Sequence, residues 1–152
     1  AWRELDRRVI HVRHCSTSPD SPLRPELPGN EIKPEALPLD GEKVFSKTVN
    51  SAFIRTGLES YLRNLGIESL VIVGLTTDHC VSTTVRMAAN LGFEVTVVAD
   101  ATATFERKGC DGVLYSADEM HQVNLASLND EFCTVRSTEY VLETLARLTH
   151  KR

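Results

Sequence analysis

Hydrophobic positions along this chain alternate between two periods. Leu70, Val71, Ile72 and Val73 form a continuous apolar run closed by Gly74. The run is too short for an amphipathic helix and rich in β-branched residues, so it predicts a strand buried on both faces. From Val81 the spacing changes: Val81, Val85, Ala88 and Ala89 recur at helical intervals until Gly92 supplies a stop. The same alternation continues on both sides of this unit. Residues 8–13 (RVIHVR), 42–46 (EKVFS), 94–99 (EVTVVA, stopped at Asp100) and 132–135 read as further strands. Leu58, Tyr61, Leu62 and Leu65 form a helical stripe behind a Thr56/Glu59 capping box. Ser116 and Glu119 form a second box that opens a helix through Met120, Val123 and Leu128. Val141, Leu142, Leu145 and Leu148 mark a last amphipathic helix, and residues 2–6 read as the final turn of a first one. Strands that alternate with helix-length connections predict an α/β domain with a mainly parallel sheet and helices on both faces, a three-layer α/β/α arrangement. One segment breaks the pattern. Residues 14–39 hold all six prolines of the chain and so form neither helix nor central strand. A loop of that length fits a flap or an oligomer contact.

Composition narrows this only a little. The 152 residues, 41% hydrophobic, suit a single domain over 1–152. A net charge of −4 with no run of Lys or Arg gives no footprint for nucleic acid. No apolar stretch approaches the roughly 20 residues of a membrane span. The four cysteines (Cys15, Cys80, Cys110, Cys133) include no CxxC pair, which argues against a dithiol redox motif or a Cys-rich zinc site. A reducing cytoplasm is the expected compartment.

The candidate chemistry gathers at Cys80. It sits where a strand's carboxyl end passes into a helix N-terminus, the edge along which open α/β sheets place ligands. The helix start favours a thiolate over a thiol there. Lys47 directly follows a strand and belongs on the same edge, where its cation would assist a nearby sulfur. His79 adjoins Cys80, but sequence neighbours at a helix start do not face one another, so it reads as a turn histidine. His11 and His14 resemble a metal pair, yet three residues apart on a strand they point to opposite faces, so no metal site is expected. GxGxxG, GxxxxGK[ST] and GxSxG loops are all absent.

Three segments make the chain recognisable: Lys47 with Ser51–Phe53 (SAF), GLTTDHCVSTT at 74–84, and DATATF at 100–105. Together they resemble the isochorismatase-like cysteine hydrolases, which include nicotinamidases, N-carbamoylsarcosine amidases and ureidoacrylate amidases. The resemblance implies a Rossmann-like isochorismatase fold, Cys80 as nucleophile and Lys47 as catalytic lysine. It also implies a cis peptide at Leu75–Thr76 that aims the N–H of Thr76, with that of Cys80, at an oxyanion. Phe53 is a candidate for the pocket wall. Two departures matter. The family's catalytic aspartate ends a first strand for which this chain has no counterpart, since Asp6 follows a helical turn and Asp20 lies in the proline-rich segment. The expectation is therefore a domain incomplete at its N-terminus. Residues 11–22 (HVRHCSTSPDSP) also lack the Asp/His metal set of nicotinamidases. True isochorismatases lack the cysteine, so Cys80 points to amide-like C–N bonds. The implied activity is hydrolysis of a small linear amide, carbamoyl or ureido substrate through a Cys80 thioester, without a cofactor and in a homo-oligomer. Two other readings are a ligand- or partner-binding domain that has lost the chemistry, and a redox sensor with Cys110 as resolving thiol.

Overall fold

The computed structural model describes residues 1–149, with side chains as far as Arg147. After a 3-10 turn (Arg3–Leu5), the elements run β1 (Ile10–His14), β2 (Lys43–Lys47), α1 (Leu58–Asn64), β3 (Ser69–Leu75), α2 (Ser82–Asn90) and β4 (Glu94–Ala103). A two-stranded hairpin follows, β5 (Arg107–Lys108) and β6 (Leu114–Tyr115), then α3 (Ala117–Leu128), β7 (Thr134–Arg136) and α4 (Thr138–Thr149). The proline-rich segment, expected to hold no helix, has two further 3-10 turns, Pro28–Asn30 and Pro34–Ala36, each opened by a proline at its first position. The parallel α/β class is the one the periodicity implies. Its parallel strands divide into two sheets, β1–β2 and β3–β4–β7, with the antiparallel β5–β6 pair apart from both. β1 and β2 are paired residue for residue, which sets His14 directly opposite Lys47.

The core forms around β4. Val95 and Val97 join Val85 and Ala88 of α2, Leu125 and Leu128 of α3, and Leu58 and Leu62 of α1 in one buried cluster. Val98, buried but outside that cluster, occupies the other face of the same strand, so β4 is covered on both sides. Phe53 stacks on Phe93 within the cluster, with ring centroids 5.8 Å apart. Leu148, expected on the apolar face of α4, lies outside the described side chains.

Several sequence expectations change here, each for a physical reason. β3 is an edge strand rather than one buried on both faces: Leu70 and Ile72 are half-buried, while Val71, Val73 and Leu75 are exposed. Only β4 flanks it. β4 does not stop at Asp100. The register shifts after the Ile72–Val97 pair and resumes at Gly74–Thr102 and Leu75–Ala103. Gly74 has φ +120° at this shift, a conformation that a side chain would oppose. Asp100, set free of the ladder, accepts from the N–H (2.7 Å) and hydroxyl (2.9 Å) of Thr138 at the start of α4. The Thr56/Glu59 box does not form. Gly57, at φ +74°, is the N-cap of α1, and Thr56 donates instead to the Ala52 carbonyl at 2.6 Å. The Ser116/Glu119 box is complete. The β5–β6 hairpin was not expected, because two-residue strands carry no period. Its signal is Asp111–Gly112 at the turn, with Gly112 at φ +83°.

Candidate active site

The site begins with how the chain leaves β3. The Leu75–Thr76 peptide bond is cis. After it, residues Thr77–Val81 form a wide helical turn in which the Thr76 carbonyl accepts from both His79 (3.2 Å) and Val81 (3.1 Å). The helix therefore starts before Cys80, not after it. Cys80 lies inside the first turn, half-buried, and α2 continues from Ser82.

Two buried contacts hold that turn in place. Thr77, with no exposed surface, bonds through its hydroxyl to His121 Nδ1 of α3 at 2.9 Å. Asp78, its side chain 4% exposed, accepts from Arg107 Nε at 2.8 Å and from the Thr104 hydroxyl. Burial works against this carboxylate, but Arg107, Thr104 and the Thr76 hydroxyl outweigh it and hold its pKa at about 2, below the ordinary 3.8. Because the folded carboxyl titrates lower than the unfolded one, its contribution to stability is complete above about pH 4 and is lost as pH falls toward 2. Asp78→Asn is therefore expected to cost about 2 kcal/mol at neutral pH and to flatten the acid limb of stability. Urea unfolding at about pH 7, 4 and 2.5 checks this; an unchanged slope would assign the acid sensitivity to other groups.

Lys47 closes β2 and is 5% exposed. Its Nζ lies 3.1 Å from Cys80 Sγ, 3.0 Å from the Val49 carbonyl and 3.1 Å from His14 Nδ1. Among the described residues no carboxylate contacts Lys47. Asp6 ends the N-terminal turn with φ +51°, and Asp20 is exposed in the proline-rich segment. Lys47, Cys80 and Phe53 line one cleft of about 200 Å³. Its walls come from both sheets, through Ile10 and Val12 of β1 and residues 70–73 of β3. Ala52 and Phe53 of the SAF segment line it: the Ala52 N–H donates to Thr84 Oγ1 of α2 at 3.0 Å, and Ser51, Ala52 and Phe53 are buried.

The other sequence candidates separate. His79 is more than half exposed and sits 3.5 Å from Asp78. His11 bonds to Glu42 at 2.8 Å, away from His14. His14 belongs to the Lys47 site, a placement the reading of a histidine pair missed. All four cysteines are free, Cys110 exposed and Cys133 buried. Burial, then Asp130, pushes the Cys133 thiol up to about 11. Among the described residues no helix is long and apolar enough to cross a membrane, and no cluster of three or more His, Cys, Asp or Glu is placed to hold a metal.

Residues 1–140 match the model of the isochorismatase domain. The chain belongs to the isochorismatase family. It is 43% identical over 149 residues to the isochorismatase family protein YrdC of Bacillus subtilis, covering 98% of this chain and 79% of that protein. A crystal structure of an isochorismatase-family protein from Chromobacterium violaceum superposes with a TM-score of 0.92 at 44% identity, over 96% of this chain and 76% of that one. The ureidoacrylate amidohydrolase RutB of Variovorax paradoxus is 38% identical over 88 residues, covering 52% of this chain and 35% of that enzyme.

Proposed function

We propose that this family member is a cysteine hydrolase that cleaves the C–N bond of a small linear amide, carbamoyl or ureido compound through a thioester on Cys80. The observation that carries the reading is the Lys47 ammonium, buried and 3.1 Å from Cys80 Sγ, with both residues lining one cleft. In this reading the nucleophile is the Cys80 thiolate, with the Lys47 Nζ in hydrogen-bond contact with its sulfur. The thiolate attacks the carbonyl carbon, and the backbone N–H groups of Thr76 and Cys80 receive the oxyanion. The C–N bond breaks as Lys47 supplies a proton to the leaving nitrogen, which departs as ammonia or an amine. Water then attacks the thioester, releasing the acid and restoring Cys80, while its surplus proton returns to Lys47. The likeness to a ureidoacrylate amidohydrolase supports the linear C–N substrate class.

The test is a panel of linear amides, carbamoyl amino acids and ureido acids, scored for release of ammonia or amine. Each reaction is quenched in acid, and the peptide carrying Cys80 is weighed. Turnover with an acyl mass on that peptide is expected. Binding of panel members with neither turnover nor adduct would instead make the protein a ligand-binding domain.

A further inference from the structure

An ammonium has three N–H bonds, and Lys47 has three acceptors around it: Cys80 Sγ, the Val49 carbonyl and His14 Nδ1. The first two are accounted for by the nucleophile and the chain that follows β2. The third is not. A ring nitrogen 3.1 Å from an ammonium must present its lone pair, because an N–H there would face another donor. We propose that His14 is the positioning residue of this site: a neutral imidazole, protonated at Nε2, whose Nδ1 fixes the Lys47 ammonium so that one N–H is directed at the Cys80 sulfur. This rests on the reading of Cys80 as nucleophile, and adds a residue that acts on it through Lys47.

The surroundings of His14 support a fixed role. The register of β1 and β2 sets it directly opposite Lys47, on the same side of the ladder. Its carbonyl accepts from Asn30 Nδ2 at 2.6 Å, and the Cys15 N–H just beyond donates to the Lys47 carbonyl at 2.7 Å. Asn30 is itself buried and also donates to the Leu23 carbonyl at 2.9 Å, so the proline-rich segment is tied to the backbone of His14. Burial, and then the Lys47 cation, lower the pKa of His14 against a contact with the Val49 backbone that raises it, a net direction that agrees with a neutral ring. The chemistry thus sets the tautomer, and the tautomer sets the aim of the cation.

Two measurements test this. In the purified wild-type chain, nitrogen NMR of the imidazole at about pH 7.5 is expected to show the Nε2–H tautomer with an unprotonated, hydrogen-bonded Nδ1. An Nδ1–H tautomer or an imidazolium overturns the proposal. Site-resolved alkylation with iodoacetamide then compares wild type, His14→Leu and His14→Asn, with exposed Cys110 as the internal reference. Leucine removes the acceptor, whereas the amide oxygen of asparagine occupies the place of Nδ1. Cys80 is expected to react about ten-fold slower in the leucine variant and within about three-fold of wild type in the asparagine variant. Equal rates in all three overturn the proposal while leaving the cysteine reading intact. A wild-type Cys80 no faster than Cys110 removes the cysteine reading instead, and the nitrogen spectrum still decides His14. If the leucine variant does not fold, the spectrum and the asparagine variant carry the decision.

Discussion

Cys80→Ala is expected to lower kcat/KM for C–N hydrolysis by a factor on the order of 10⁴ or more, and to remove the acyl adduct altogether. The size of the effect follows from the chemistry, because no other thiol contacts Lys47 among the described residues and no water in a neutral cleft matches a thiolate as nucleophile. Cys80→Ser is the stricter form of the experiment. It returns an acceptor to the place of Sγ, so the Lys47 ammonium keeps a third partner and the turn at Thr77–Val81 keeps its packing. A hydroxyl is far harder to ionise than a thiol, so the serine variant is expected to lose nearly as much activity as the alanine variant while melting within a few degrees of wild type. Initial rates on the best substrate of the panel, with thermal melts of all three proteins, decide the matter. Serine activity within about ten-fold of wild type would show that covalent attack by sulfur is not the slow step. Alanine activity at that level would remove Cys80 from the mechanism.

The sequence carried much of the architecture, and the reason lies in particular residues. Leu70–Gly74 is a short β-branched run and Val81–Gly92 holds a helical period, so the existence of β3 and α2 is legible locally, though not the position of β3 at a sheet edge. Cys80 is legible for the same reason, since it falls at the change of period. Lys47 is placed on the right edge by β2, but its contact with a residue 33 positions away depends on how two sheets stand about a cleft, which no local pattern encodes. His14 was visible, weighed with His11 as a metal pair, set aside on strand geometry and given no other role. A histidine pair on a strand suggests a metal, and only the one-to-one pairing of β1 with β2 reveals that His14 answers to Lys47 and His11 to Glu42. The remaining differences are cases where tertiary contacts override a local signal. Asp100 reads as a strand stop, yet it caps α4 while the ladder resumes at Thr102. Thr56 reads as a cap and instead binds the carbonyl of Ala52, which lines the cleft.

Lys47→Met is expected to separate activity from stability, and in opposite directions. The methionine side chain has nearly the length of lysine and no charge, so it fills the same 5% exposed position without an ammonium to be solvated. Removing the buried cation relieves its desolvation cost, and the Cys80 sulfur it leaves behind takes up a proton and becomes a neutral thiol, so no unpaired charge stays buried. Stability is therefore expected to hold or to rise slightly. Activity is expected to fall by roughly 10²–10⁴ in kcat, because the variant loses both the cation that favours the thiolate and the proton donor for the leaving nitrogen. KM should change far less, since the cleft's apolar walls remain. Lys47→Arg distinguishes the two losses. Its guanidinium keeps the charge but does not give up a proton at working pH, so it should restore much of the Cys80 alkylation rate without restoring turnover of substrates whose leaving amine must be protonated. Denaturant unfolding, alkylation and steady-state kinetics on the same three proteins check each arm. A methionine variant that loses stability and activity together would make Lys47 a structural residue, and the proton would then have to come from elsewhere.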